Sequence, residues 1–317
     1  MKLILESNDM KIDINKAKNT LVKGNLVIFP TETVYGLGGD ATNPIAVNKI
    51  YEVKNRPINN PIICHFKDIN AVRKDFFIND IASQLANKFW PGPLTLILEK
   101  KNSSNISPIL SNKQKFVGCR VPKHHIAQKL LHNLDFPIAA PSANISTKLS
   151  STNVNHLSNK LKKDIFILNG GISYYGLEST VVDVRKNNLK ILRLGSITYE
   201  QIKRFIPNII IDNHKFSNLS PGQQRKHYSP DLPLRINVNN VLKGESLLNF
   251  GMNDLKSNIL ELNLSLSGNL NEAGKNLYDY LHILDNSKSM GIAVAPIPNN
   301  NLGKTINDRL IRASAIN

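Results

Sequence analysis

Short apolar runs alternate with segments of helical periodicity along most of the chain up to Val184. Polar residues, Gly or Pro bound each run, which is the pattern of strands that lie between helices. The alternation predicts an α/β domain rather than a β-sandwich. The predicted strands are Leu26–Phe29, Ile62–Phe66, Leu94–Leu98, Phe116–Val121, Pro137–Ala140, Ile165–Leu168 and Thr180–Val184.

Two helix starts are marked by residues that cap helices. Asn43 followed by Pro44 is typical of a cap and a first helical residue, and helically spaced apolar residues follow. Asn79 likewise predicts a helix over Asp80–Phe89, which Pro91 and the residues after it terminate.

A polar, proline-bounded stretch, SNLSPGQQRKHYSPDLP, separates this region from a second unit and is typical of an interdomain linker. We therefore predict a large α/β domain over 1–206, big enough to hold a catalytic site, a linker or lid over 207–232 and a small α/β domain over 233–317. The small domain is predicted from strand-like and helix-like segments: Leu247–Phe250, Asn271–Leu284, Ile292–Ala295 and Thr305–Ala313.

Composition narrows the class of protein. With 41% hydrophobic residues the chain can form a packed core, and its formal net charge of +16 would suit phosphate-rich partners. Much of that charge is scattered Lys, so weak tRNA contact is as well supported as no contact at all. Only Cys64 and Cys119 are present, without metal-site spacing, and no export signal or membrane-length apolar run is seen. A cytoplasmic protein is expected.

The segment FPTETVYGLGGDA brings hydroxyls and glycines to the end of the first predicted strand. Thr31 and Thr33 supply hydroxyl groups there, and the glycines would allow positive φ or a close backbone approach. We interpret the segment as a turn between a strand and a helix. It matches neither common phosphate-loop motif, so an ATP enzyme would need a different phosphate cradle.

Three further polar residues precede the strand that carries His65. Lys54, Arg56 and Asn60 could bind triphosphate oxygens, since Arg offers a planar fork and Lys a point charge. A solvated helix end would explain them equally well. His65 is either a site residue or an ordinary satisfied core histidine.

Arg120 lies among apolar neighbours in KFVGCRVPKHH. A buried arginine needs an anionic partner, because burial without one would cost several kcal/mol. Either the carboxylate of a ligand or a structural Asp or Glu would meet that need.

Other polar residues follow strand ends, where α/β proteins gather their binding groups. Ser142 and Asn144 follow the strand in PIAAPSANIS, and Ser179 and Arg193 occupy similar places further on. Capping of the next helix is a simpler role for the first two. The chain has no GxSxG, no HExxH and no zinc-type His and Cys cluster, which argues against serine or zinc hydrolases.

Taken together, PTETVYGLG, KNRPINNP, PGPLT, RVP, APSANIS, ESTVVD and LRLG occur in this order and resemble the motifs of the YrdC-type L-threonylcarbamoyladenylate synthases. SPGQQRKHYSP, EAGKNLYDYLHILD and INDRLIRASA resemble the linker and tail of the long two-domain form. The resemblance implies a large twisted open mixed sheet flanked by helices, and a smaller Rossmann-like C-terminal domain.

The activity that the resemblance implies is synthesis of L-threonylcarbamoyladenylate from L-threonine, bicarbonate or CO2, and ATP, with release of pyrophosphate. Mg²⁺ would accompany the ATP phosphates without protein ligands. The product would pass to a tRNA threonylcarbamoyl transferase complex that forms N6-threonylcarbamoyladenosine in tRNAs reading codons that start with A.

Site residues follow from the same resemblance. The positions that match threonine contacts are Thr33, His65, Arg120, Ser142 and Ser179. The positions that match ATP contacts are Lys54, Arg56, Asn60, Asn144, Thr152, Arg193 and Tyr228, with Lys54 and Arg56 also expected to act on the leaving group. The chain departs from the family pattern at Thr147, where glycine is expected, at Ser151 and at Leu194, where proline is usual.

Two other functions compete with this hypothesis. An RNA-binding module without catalysis would also explain the formal net charge of +16. A carbamoyl transferase of the hydrogenase-maturation type would share the first domain, but it predicts acylphosphatase and zinc-finger segments that the sequence lacks.

Overall fold

A computed structural model describes residues 13–111, 115–185, 189–211 and 227–315 of the chain. Most of the predicted linker, 212–226, lies outside the described residues. Among the described helices, none combines the length and apolar character that crossing a membrane requires.

An eleven-stranded mixed sheet organises the first two-thirds of the chain, which we call the large-sheet domain. Ten strands follow the order β11-β10-β9-β5-β6-β3-β7-β2-β1-β8, and β4 pairs with β5. The strands are β1 Val27–Phe29, β2 Gly36–Asp40, β3 Cys64–His65, β4 Phe76–Phe77, β5 Leu94–Lys100, β6 Phe116–Arg120, β7 Ile138–Ala139, β8 Phe166–Ile167, β9 Thr180–Asp183, β10 Lys190–Arg193 and β11 Ile210–Ile211. All seven predicted strands are present within this sheet.

Local capping chemistry explains the helices of this domain. The side chain of Asn43 accepts hydrogen bonds from the backbone of Ile45 and Ala46, and Asn79 accepts from Ala82, so both predicted helix starts are confirmed. Helix α1 covers 13–22, and the other helices are α2 Pro44–Lys54, α3 Ile69–Asp75, α4 Asp80–Phe89, α5 His125–His132, α6 Asn159–Asp164 and α7 Tyr199–Lys203.

The glycine-rich segment is a strand, so its interpretation as a turn was wrong. Gly36–Asp40 forms β2, which pairs antiparallel with both β1 and β7. The glycines serve close approach: a Cβ added to Gly38 would lie 2.6 Å from the Ile138 side chain and 2.8 Å from the Phe29 ring. Long-range pairing has overridden the turn preference of the local sequence.

The small domain has a four-stranded parallel sheet in the order β12-β15-β13-β14. Its elements are β12 Leu234–Arg235, β13 Glu245–Asn249, β14 Glu261–Asn263, α8 Leu270–Asp285, β15 Gly291–Val294 and α9 Asn301–Ala313. Its apolar core also includes Val34, Leu149 and Leu177 of the large-sheet domain. The two domains therefore share a buried apolar contact, which brings α8 and α9 against the large-sheet domain.

Candidate active site

One pocket collects most of the polar residues that the sequence singled out. It lies where β1, β3, β6, β7 and β9 end or begin, so that loops from several strands meet there. Eight of the twelve predicted site residues line it: Thr33, Arg56, His65, Arg120, Ser142, Ser179, Arg193 and Tyr228. The other four, Lys54, Asn60, Asn144 and Thr152, lie behind the wall or beside it.

Arg120 forms one corner of this pocket and is 3% exposed. Its Nη1 donates to Thr33 Oγ1 at 2.9 Å, and its Nη2 lies 2.6 Å from Glu32 Oε1. The approach to Glu32 is an ion pair without hydrogen-bond alignment, and no described residue donates an aligned hydrogen bond to either Glu32 oxygen. A structural glutamate thus partners Arg120, while the guanidinium still faces the pocket.

His65 stands beside this corner, because its position in β3 is paired with Arg120 in β6. Burial, with the nearby Arg120 charge, lowers the pKa of His65 to about 3. Its imidazole is therefore neutral near pH 7. Cys64, the preceding residue, points into the apolar core, as alternation along a strand requires.

The loop after β7 brings Ser142 to the pocket and attaches it to Lys54. Lys54 Nζ donates to the carbonyl of Ser142 at 2.6 Å and also contacts the carbonyl of Asn144. The Ser142 hydroxyl contacts the Asn144 side-chain oxygen. Burial, and Arg56 nearby, lower the pKa of Lys54 well below its usual range. In this arrangement Lys54 holds the loop from behind.

Arg56 reaches the pocket from the end of α2. Its Nη2 donates to the side-chain oxygen of Asn60 at 2.6 Å and to the carbonyl of Pro61 at 2.7 Å. Asn60 therefore orients the guanidinium without lining the pocket itself. Burial lowers the pKa of Arg56 to about 10, so it stays charged at neutral pH.

Ser179 and Arg193 form the opposite wall. Arg193 Nη2 donates to the backbone carbonyl of Ser179 at 2.7 Å and to its hydroxyl at 3.1 Å. The same hydroxyl lies 2.8 Å from Thr95 Oγ1. These contacts fix both predicted site residues at one end of β9.

Thr152 does not line the pocket. Its backbone nitrogen and hydroxyl both lie 3.2 Å from Nδ1 of His156, and Asp279 of α8 lies 2.9 Å from the other imidazole nitrogen. The structure thus places Thr152 at the contact with the small domain.

Sequence reasoning missed several pocket residues, among them a glutamate and a histidine. Glu178, directly before Ser179, and His227, directly before Tyr228, are both buried in the wall. Burial, followed by Arg56 and Arg309, holds the pKa of His227 well below its usual range. The acidic residue in GLESTVVD and the histidine in RKHYSP were the available signals, since each stands next to a residue that was predicted.

One departure from the family pattern has a structural correlate. Thr147, where glycine is expected, has φ of 72°, in the left-handed region that favours glycine. Ser151 is buried and donates to the carbonyl of Ala143, and the carbonyl of Leu194 accepts from Arg309.

Two family models match the chain. Residues 19–195 match the Sua5, YciO and YrdC model, which is described as "Telomere recombination". Residues 197–315 match "Threonylcarbamoyl-AMP synthase, C-terminal domain". Sheet, pocket and family models therefore agree on a protein of the Sua5, YciO and YrdC class that carries the additional C-terminal domain.

Comparison with individual relatives shows which family within this class the chain belongs to. The threonylcarbamoyl-AMP synthase of Bacillus subtilis is 35% identical, over 98% of this chain and 94% of that protein. The enzyme of the same name from Pyrococcus abyssi is 39% identical, over 68% of this chain and 65% of that protein. The crystal structure of P. abyssi Sua5 complexed with L-threonine matches with a TM-score of 0.86 at 32% identity, over 95% of this chain and 94% of that one. The chain belongs to the threonylcarbamoyl-AMP synthase family, which confirms the predicted enzyme class and two-domain α/β fold.

Proposed function

We propose that this chain condenses L-threonine, bicarbonate or CO2, and ATP into L-threonylcarbamoyladenylate, with release of pyrophosphate. One observation carries the proposal: a single pocket holds two sets of groups, one suited to L-threonine and the other to ATP. We call Thr33, His65, Arg120, Ser142 and Ser179 the threonine half, and Arg56, Arg193 and Tyr228 the nucleotide half.

The threonine half suits a small amino acid. Arg120 offers a guanidinium to a carboxylate, while three hydroxyls and neutral His65 offer partners to the substrate's polar groups. The relative crystallised with L-threonine supports the assignment.

The nucleotide half suits a polyphosphate, because Arg56 and Arg193 are both buried cations. No group of three or more His, Cys, Asp or Glu that could hold a metal exists among the described residues. As the chemistry of phosphoryl transfer implies, Mg²⁺ would enter with the ATP phosphates as part of that substrate.

Catalysis of this reaction then depends mainly on positioning the carbamate against the α-phosphate of ATP. Threonine's amino nitrogen first bonds to the carbon of CO2 and loses a proton to give the carbamate. A carbamate oxygen bonds to the α-phosphorus as the bond from that phosphorus to the pyrophosphate oxygen breaks. Arg56 and Arg193 would stabilise the charge that moves to pyrophosphate. Holding the two reactants in line could contribute up to about 7–11 kcal/mol without a dedicated general base.

Lys54, Asn60, Asn144 and Thr152 remain predicted ATP contacts. The contacts of Lys54, Asn60 and Asn144 suit support of pocket residues: Lys54 and Asn144 for the loop at Ser142, and Asn60 for Arg56. We further propose that the product passes to a tRNA threonylcarbamoyl transferase complex, and that the enzyme works in the cytoplasm, where its two free, buried cysteines stay reduced.

The test is pyrophosphate release by purified protein with ATP, Mg²⁺ and bicarbonate. L-threonine, L-serine and no amino acid are compared, with Arg120→Ala alongside. Release that depends on threonine and is lost in Arg120→Ala supports the proposal. Absence of release under every condition contradicts it and would favour a binding protein.

A further inference from the structure

Glu178 is a buried carboxylate in the pocket wall, 5% exposed, and it is bound largely by the small domain. The Ser150 hydroxyl donates to Oε1 at 2.6 Å, and the Tyr278 hydroxyl lies 3.0 and 3.1 Å from the two oxygens. Arg309 Nε donates to Oε2 at 2.9 Å. Burial alone would raise the pKa of Glu178, but Arg309, Arg193 and Ser150 hold it below its usual value. Glu178 is therefore an anion that is paired with Arg309 of α9 and hydrogen-bonded by Tyr278 of α8.

Arg309 is the centre of this arrangement and is 1% exposed. Besides Glu178, it donates from Nη2 to the carbonyl of Leu194 at 2.6 Å and contacts Asp308 through Nη1. Its guanidinium carbon lies 4.7 Å from the centroid of the Tyr228 ring. One side chain of the small domain thus contacts both a carboxylate and a tyrosine that line the pocket.

The same face of α9 also binds the chain next to Arg193. Thr305 lies one helical turn before Arg309, and its hydroxyl donates to the carbonyl of Gly195 at 3.0 Å. Because Arg193 is the last residue of β10, α9 fixes the two residues that follow it. A Cβ at Gly195 would lie 2.4 Å from the Ser179 carbonyl carbon, so this segment has little room to shift.

Glu178 and Arg193 line the same pocket, and Arg193 binds Ser179, the residue that follows Glu178. Burial lowers the pKa of Arg193, whereas the charge of Glu178 raises it. Arg193 donates to Ser179, as described above, while Arg309 occupies Glu178. Without Arg309, the buried carboxylate would attract Arg193, the other cation that acts on it in the part of the chain that the structure describes, because a buried charge requires a partner.

We infer that Arg309 is a positioning residue: by occupying Glu178 it keeps Arg193 and Tyr228 directed at the nucleotide half of the pocket. The small domain thereby completes the active site and does more than pack against the large-sheet domain. The inference rests on the proposed function, since it takes Arg56, Arg193 and Tyr228 as the ATP contacts.

The experiment compares Arg309→Met with the double variant Arg309→Met/Glu178→Gln and with Lys304→Met. Lys304 lies on the same helix and pairs with Glu200 across the domain contact at 2.5 Å, but neither residue lines the pocket. Isothermal titration measures binding of a nonhydrolysable ATP analogue with Mg²⁺ and, separately, of L-threonine. Circular dichroism at the working temperature shows that each variant is folded.

Arg309→Met is expected to weaken nucleotide binding by about 10-fold or more, since charge-assisted contacts of Arg193 are lost. Threonine affinity should fall much less, because Ser179 keeps its contact with Thr95. The double variant is expected to recover part of that loss, because the carboxylate that attracts Arg193 has gone. A purely structural role predicts no recovery. Lys304→Met should bind both ligands like the original chain.

Equal losses for both ligands in Arg309→Met, or no recovery in the double variant, would overturn the inference. Should Arg309→Met fail to fold, Arg309→Gln replaces it, because its amide can still donate a hydrogen bond but carries no positive charge to partner Glu178. Nucleotide binding without threonine-dependent pyrophosphate release in the original chain would refute the proposed function alone. No nucleotide binding by the original chain would overturn both.

Discussion

Two buried pairs of arginine and glutamate flank the pocket, and they differ in how completely their groups are satisfied. Glu178 accepts hydrogen bonds from Ser150, Tyr278 and Arg309. Glu32 lies 2.6 Å from Arg120, yet no described residue donates an aligned hydrogen bond to it. A fully bonded pair fixes its surroundings, whereas a poorly aligned pair leaves an arginine able to bind a second anion.

The pairs also differ in which domains their residues come from. Glu32 stands beside Thr33 in the loop after β1, so the first pair lies within the large-sheet domain. Glu178 and Arg309 are 131 residues apart and join two domains. The first pair therefore lies beside the proposed threonine half, and the second joins the two domains at the wall of the pocket.

The largest expected difference is in stability. Glu178→Gln should lower the free energy of unfolding by about 3 kcal/mol, because among the described residues it leaves buried Arg309 paired with Asp308 alone. Glu32→Gln should cost less, about 2 kcal/mol, because the pair that it breaks is poorly aligned and Arg120 keeps its bond to Thr33. Urea unfolding of both variants checks this order, and equal costs would remove the distinction between the pairs.

The threonine half should also determine part of the acid sensitivity. The pKa of His65 is about 3 in the folded protein and about 6.5 when unfolded, so only the unfolded chain gains a proton between these values. Stability should therefore fall as pH drops below about 6.5, by up to about 1.4 kcal/mol per pH unit from this residue, and level off near pH 3. Urea midpoints at several pH values measure the slope. A slope unchanged in His65→Asn would contradict the assignment.

A smaller loss of stability is expected when one hydrogen-bond donor to Glu178 is removed. Tyr278→Phe removes the hydroxyl bonded to Glu178 while keeping the ring in the core, and should cost about 1–1.5 kcal/mol. Threonine affinity should be unaffected. Thermal unfolding and threonine titration on one sample test both parts, and a loss of threonine binding would show that the halves are not separate.

The smallest effect is expected at the edge of the domain contact. Lys304 and Glu200 are each about one-third exposed, and such pairs contribute about 1 kcal/mol or less. Lys304→Ala should therefore change unfolding only slightly. A cost as large as that of Glu178→Gln would show that the domain contact as a whole, and not the buried pair, supplies the stability.

Local signals made much of the fold predictable. Asn43 and Asn79 marked helix starts because a cap acts on the next few residues. Apolar runs marked strands because these strands are buried on both faces. Gly36–Asp40 could not be recognised as a strand in this way. Its pairing depends on β1 and β7 and on the absence of side chains, which no local propensity reports.

For the site, the motif series predicted eight residues that line one pocket, together with Lys54, Asn60 and Asn144 behind it, but not Glu178 or Arg309. Arg120 was known to need an anion, and the sequence could not choose between a ligand and Glu32. Arg309 carried a weak signal: it falls on the buried stripe of α9 with Thr305 and Ala313, where a charged residue needs a partner. That partner lies in the other domain, so only the tertiary contact reveals it.

The central claim is that Arg120 serves the threonine half of the pocket and Arg309 supports the nucleotide half. Crossed ligand titrations test this claim most directly. L-threonine and a nonhydrolysable ATP analogue are titrated into the original chain, Arg120→Met and Arg309→Met. We predict that Arg120→Met loses threonine binding and keeps nucleotide binding, while Arg309→Met shows the reverse pattern. Loss of the same ligand in both variants would contradict the account.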